Sequence, residues 1–176
     1  MMKVVFTLML IILVSSVGFS QSMAKSGQWG IQTSLGVASS PVAGANTVGF
    51  KFLASEDFAI RFEAGLASIS PPGGGGSTTG FEVGAGFEYH LAGGLGNVSP
   101  YLGLQAGFGG GSVPGGGTTP TSISVVGVFG GEYFFSSNFS WAGEIGLGFN
   151  STGASGVTTT SIGTGSATLI ATWYIN

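Results

Sequence analysis

From Phe58 to Leu66 the chain alternates. Phe58, Ile60, Phe62, Ala64 and Leu66 fall on one side, and Ala59, Arg61, Glu63 and Gly65 on the other. The stretch Phe139–Phe149 repeats the pattern, with Phe139, Trp141, Ile145, Leu147 and Phe149 opposite Ser140, Ala142, Glu144, Gly146 and Gly148. A side-chain period of two is the signature of a strand. Read along the chain, it predicts eight strands: about Trp29–Ala38, Thr47–Ala54, Phe58–Ile69, Gly80–His90, Pro100–Gly109, Ser122–Phe135, Phe139–Asn150 and Ser161–Ile175. The connections alternate too. Long segments rich in Gly, Ser and Thr (Ser39–Asn46, Ser70–Thr79, Gly110–Thr121, Ser151–Thr160) are interleaved with the shorter Ser55-Glu56-Asp57, Leu91–Ser99 and Ser136-Ser137-Asn138.

Composition decides which face of these strands is wet. Only 6% of the 176 residues are charged, against about 25% in a typical soluble domain, and the mean hydropathy is +0.50. A soluble surface this poor in charge would aggregate. Beyond residue 24, Gly, Ser and Thr interrupt every apolar run before it reaches the ~18 residues of a membrane helix. The other structure that satisfies all its backbone groups in lipid is the closed barrel. The expectation is therefore an all-β, eight-stranded, antiparallel up-and-down transmembrane β-barrel. Its large apolar residues face lipid, and its glycines and charges face the lumen.

Residues 1–24 read as a cleaved signal peptide with a helical apolar core. Lys3 supplies the positive start, Val4–Val14 the apolar stretch and Ser22-Met23-Ala24 the small-x-small cleavage site, with cutting after Ser20 as an alternative. Residues 25–176 form the barrel domain. There is no cysteine, which excludes disulfides, thiolate metal sites and a lipoprotein anchor. A formal net charge of -3 from few groups gives no footprint for nucleic acid.

A weak internal repeat relates Ser70–Leu91 to Ser112–Phe135, each a Pro-Gly-Thr loop leading into a strand that ends Phe87-Glu88-Tyr89 or Gly131-Glu132-Tyr133. The segments Glu88-Tyr89 with Asn97–Leu104, and Glu132–Ser140, resemble the strand–turn–strand units of small OmpA/OmpX-like outer-membrane barrels, over essentially Trp29 to Asn176. The resemblance implies a bacterial outer membrane, contact with its lipid and lipopolysaccharide, insertion by a barrel-assembly machinery and a monomer. With long loops outside and an even number of strands, both mature termini are expected in the periplasm. One departure is the end of the chain. Trp173-Tyr174-Ile175-Asn176 lacks the final Phe or Trp that such barrels commonly present to the assembly machinery.

Parity places Lys51, Arg61, Glu63, Glu82, Glu88, Gln105, Glu132 and Glu144 in the lumen with the glycines. All of these charged residues except Glu82 lie within about six residues of a short turn. At ~3.3 Å per residue they are expected to form one belt, in which Lys51 and Arg61 bridge Glu63, Glu88, Glu132 and Glu144 as a polar plug. Phe52, Phe58, Phe87, Tyr89, Tyr133, Phe139, Trp141 and Trp173 are expected to form an aromatic girdle on the periplasmic rim.

Catalysis is not expected. His90 and Asp57 are the single residues of their kind and read as rim residues, and no nucleophile elbow or other local signature accompanies them. Carboxylates spread over different strands match no metal-ligand spacing, and Gly73–Gly76 leads into no phosphate-loop lysine. No cofactor is implied. The function read here is a structural or surface-interaction (adhesin-like) membrane barrel with a narrow, filled lumen. The alternatives are a small cation-preferring pore or hydrophobic-ligand conduit, and a soluble lipocalin-like barrel with the apolar face inside.

Overall fold

The computed structural model describes residues 25–36, 47–69, 76–91, 96–112, 120–154 and 156–175; the expected signal peptide lies outside them. Eight strands follow in order: β1 Trp29–Gly36, β2 Thr47–Leu53, β3 Phe58–Ile69, β4 Thr78–His90, β5 Val98–Gly111, β6 Thr121–Ser136, β7 Phe139–Ala154 and β8 Val157–Ile175. Each pairs antiparallel with its sequence neighbours, and β1 closes on β8 from Trp29↔Ile175 to Gly36↔Thr168. Closure removes every sheet edge, so backbone donors and acceptors pair between strands all the way round.

The alternation of the sequence becomes two surfaces. Lys51 and Arg61 are each 2% exposed and Glu132 is 0% exposed, whereas Leu66 and Ile162 on the outer wall are 82% and 79% exposed. Ile31, Phe50, Phe62, Leu104, Ile145, Leu147 and Leu169 also face outward. This corrects the lipocalin-like alternative, which needs the large apolar residues within. Here they cover the outside, where water would solvate them poorly and hydrocarbon would solvate them well.

An eight-stranded barrel leaves an interior just wide enough for side chains. Glycines on the inner face make room for the large ones. A Cβ on Gly130 would sit 2.5 Å from the Tyr101 ring, and one on Gly103 would sit 2.8 Å from Val128. At the end that carries Ser55–Asp57 and Ser137-Asn138, the lumen is floored by Leu53, Ala59, Phe134 and Tyr174, all buried.

The main difference from the sequence reading is at Ser151–Thr160, expected as a loop. Most of it is ladder: Ser151↔Thr160, Thr152↔Thr159, Gly153↔Thr158 and Ala154↔Val157 carry the β7–β8 hairpin onward, and Gly156 takes a positive φ of 79 at its tip. Threonine is β-branched and pairs well across strands. Its polarity resembles that of a loop, but its backbone preference is that of a strand. Similarly, β4 and β5 extend to Thr78 and Gly111, beyond the bounds expected for them.

Candidate functional site: a buried ion-pair network in the lumen

The charged side chains of the network come from five strands, β2, β3, β4, β6 and β7, each pointing inward by parity. Lys51 on β2 and Arg61 on β3 are register partners. Lys51 Nζ lies 2.6 Å from Glu88 Oε2 and 2.7 Å from Glu132 Oε2. Arg61 Nη1 donates to Glu88 Oε1 at 2.8 Å and to Glu144 Oε1 at 2.6 Å, while Nη2 donates to Glu144 Oε2 at 3.0 Å. The Arg61–Glu144 pair is thus bidentate, the strongest geometry a guanidinium offers. Glu88 couples the two cations into one unit.

Hydroxyl groups complete the carboxylates. Tyr101 donates to Glu144 at 2.7 Å, and Tyr174 and Ser140 donate to Glu132 at 2.6 and 2.5 Å. Gln105 lies against the Arg61 guanidinium, its amide oxygen placed to accept from Nε and Nη2. The Lys51 ammonium also lies 5.6 Å from the centre of the Tyr101 ring. Charges buried this deeply are tolerated only when paired and hydrogen-bonded, and each member here has several partners.

Of the belt residues expected from sequence, the structure brings together Lys51, Arg61, Glu88, Glu132 and Glu144. Glu63 stands apart, one row higher on β3. It pairs in register with Gly49 and Gly84 and accepts from Thr47 Oγ1 at 3.3 Å, and Thr47 in turn hydrogen-bonds Ser34.

His90 corrects the rim reading. It is 4% exposed, inside the lumen. Its Nδ1 lies 2.8 Å from Ser99 Oγ, and its Nε2 lies 3.3 Å from Glu88 Oε2 and 3.8 Å from Glu132 Oε2. Tyr101, Tyr174, Ser140 and His90 were missing from the sequence-derived belt. All four share parity with inward neighbours (Gly103, Thr172, Glu144 and Glu88), so the signal was present.

This arrangement also tests two chemistries. Ser99, His90 and Glu88 have the connectivity of a hydrolase triad, but Ser99 is buried and Glu88 is already bound to Lys51 and Arg61. Asp57 meets His90 only through the backbone, its carbonyl accepting from His90 N–H at 2.7 Å. Glu88, His90 and Glu132 bring possible ligand atoms within 4.8 Å of one another. Strand closure can therefore gather carboxylates that linear spacing keeps apart, which corrects the spacing argument. The Lys51 ammonium already touches both carboxylates, so the cation of this cluster belongs to the chain itself.

The aromatic residues expected as a girdle lie on the outer wall at the short-turn end. Phe58 stacks on Phe87 at 5.8 Å, Phe139 meets Trp173 at 5.8 Å, and Phe135 contacts Tyr133, Phe139 and Trp141. Trp29 joins them through Phe52 at 4.5 Å; Trp29 and Phe135 were not among the residues expected. Tyr89 is outward and half exposed.

Three solved structures share this architecture. The Neisserial surface protein A aligns with a TM-score of 0.57 at 17% identity, over 83% of this chain and 95% of that one. The N-terminal β-barrel domain of Pseudomonas aeruginosa OprF aligns at 0.54 and 12% identity, over 85% and 98%. This is the fold of the small eight-stranded outer-membrane β-barrels. The outer membrane protein OprG of Pseudomonas aeruginosa gives 0.51 at 12% identity, over 87% and 98%. No protein-family model and no curated protein sequence matches the chain.

Proposed function

We propose that this chain is a small monomeric outer-membrane protein. Its barrel serves as a closed structural support, and its long connections form a surface-interaction face. The observation that carries this reading is the pairing of an apolar outer wall with a lumen closed by the ion-pair network above its Leu53–Phe134–Tyr174 floor. The aromatic cluster at the short-turn end has the composition of an interfacial girdle. If that end is periplasmic, both mature termini are periplasmic and the Gly/Ser/Thr-rich connections face outward, against lipopolysaccharide. No catalytic role is proposed, since the Ser99–His90–Glu88 set is buried within the plug.

The competing reading, a small pore, is separated by conductance. Purified barrel in a planar bilayer is expected to give no sustained channel steps, because Lys51 and Arg61 tie three strands' carboxylates across the lumen. Any residual current should prefer cations, since carboxylates outnumber basic groups there. Steady open steps, or anion preference, would overturn the closed-lumen reading. A hydrophobic-ligand conduit fits a lumen lined by these charged groups less well than either.

A further inference from the structure

On the outer wall, one row inside the aromatic cluster, the barrel is hollowed. Gly131 on β6 and Gly143 on β7 are register partners, and Pro100 on β5 and Leu169 on β8 continue the same row. Parity turns this row outward, since the adjacent Glu132, Ala142, Glu144 and Ile170 are buried in the lumen. Toward the short-turn end the next outward row carries Tyr133 and Trp141; toward the middle of the wall it carries Phe129, Ile145 and Ala167. Between these two ridges lies a groove of about 470 Å³, walled by Pro100, Phe129, Ile145, Ala167 and Leu169 and floored by Gly131 and Gly143.

Nothing inside the barrel requires these two glycines. Gly130 and Gly103 are kept bare by Tyr101 and Val128, which occupy the space a Cβ would take. A Cβ on Gly131 or on Gly143 would meet no atom within 4 Å. Glycine weakens a strand interior, and there it often marks a place where a ligand or another backbone comes close. Here two of them stand face to face in a wall otherwise covered by large apolar side chains.

The position of the groove selects its occupant. It is continuous with the wall that faces hydrocarbon, and the side chains that wall it are apolar, so a charged or sugar ligand would find no partner there. A second copy of the chain fits badly. A two-fold interface sets the same patch against itself, and two hollows face to face enclose a void. A hydrocarbon chain is flexible enough to follow the groove, and the bilayer surrounds the wall with such chains. We infer, on the lipid-facing reading of the outer wall and with the short-turn end periplasmic, that the groove seats an acyl chain of a bilayer phospholipid. The chain lies along Gly131 and Gly143, and the headgroup sits at the rim, where the exposed Tyr133 and Trp141 offer polar edges. The groove is two residues, or ~7 Å of strand, inside that rim. Its lipid therefore comes from the periplasmic leaflet, which is phospholipid, and not from the lipopolysaccharide leaflet.

The test uses the full mature chain folded in detergent and titrated with a phosphatidylethanolamine that carries a diazirine on one acyl chain. Irradiation and peptide mass spectrometry then map the adducts. Adducts at Phe129–Gly131 and Gly143–Ile145 are expected to saturate as the probe is raised, and native mass spectrometry should show a single retained phospholipid. Adducts at Phe50 and Phe62, which are register partners facing outward on the opposite wall, should rise in proportion to the probe. Gly131→Leu combined with Gly143→Leu fills the groove and should abolish both the saturable component and the retained lipid, with labelling at Phe50 and Phe62 unchanged. The milder Gly143→Ala should shift half-saturation to higher probe, and heat-modifiable electrophoretic mobility checks that each variant is folded. Proportional labelling on both walls, or saturation indifferent to the filled groove, would overturn the inference and leave the lipid-facing wall intact. Labelling at Phe50 and Phe62 with none in the groove would put a second copy on this face and would overturn it too. Labelling of neither wall would overturn the lipid-facing reading together with it.

Discussion

Replacing Arg61 with methionine is expected to lower the unfolding free energy of the barrel by about 3–5 kcal/mol, the range seen when one partner of a buried ion pair is removed. Arg61 is bound to two carboxylates, bidentately in the case of Glu144, at a position 2% exposed. Its loss leaves Glu144 with Tyr101 and leaves Glu88 with Lys51. The size of the effect comes mainly from those stranded charges rather than from the bonds themselves. A second variant separates the two contributions. Arg61→Met combined with Glu88→Gln and Glu144→Gln removes the charge imbalance and should recover most of the loss, since an uncharged replacement of a buried network is often near neutral. Urea unfolding of barrels folded into lipid vesicles, followed by tryptophan fluorescence, measures both. If the single variant costs less than ~1 kcal/mol, the network is not the closed, desolvated unit described here.

The second large effect belongs to the outer wall. Ile145→Arg should destabilise the barrel by about 2–4 kcal/mol when it is folded in a bilayer, the cost of an arginine near the midplane on the lipid face. Ile145 is outward and 56% exposed, six residues beyond Phe139 and four beyond Trp141 on the same strand. Val157→Arg introduces the same charge at a position that is also outward and even more exposed, at 67%. Val157 opens β8 at the far tip of the β7–β8 hairpin, opposite Ala154. The apolar band of such barrels is only about 25 Å tall, so this tip lies beyond it and the substitution should cost close to nothing. Equal costs at the two positions would mean that neither experiences hydrocarbon, and would remove the lipid-facing assignment.

Much of this was legible in the sequence, because a period of two is insensitive to tertiary detail. Alternation and loop spacing sufficed for eight strands, and parity put Lys51, Arg61, Glu88, Glu132 and Glu144 inside. What parity does not encode is height. Glu63 and Glu144 each lie about six residues from a short turn, at Asp57 and Asn138. Only Glu144 reaches Arg61, because closing the barrel staggers each strand against the next. Glu63, two residues beyond Arg61 on the same strand, stands one row above the network. His90 was read as a rim residue from its place at a strand end, although it shares parity with Glu88 and sits deep in the lumen. The Thr-rich hairpin tip was misread for a chemical reason, since polarity was weighted above the β-branching of Thr158, Thr159 and Thr160.

An inside-out barrel, apolar on its outer wall and charged within, requires a membrane around it. Washing the membranes of expressing cells with alkaline carbonate tests this most directly, because the wash strips peripheral and soluble proteins and leaves those embedded in lipid. The protein is expected to remain entirely in the membrane pellet and to leave it only with detergent. Its release into the carbonate supernatant would contradict the assignment of the apolar wall to lipid, and with it the reading of the lumen as a plug.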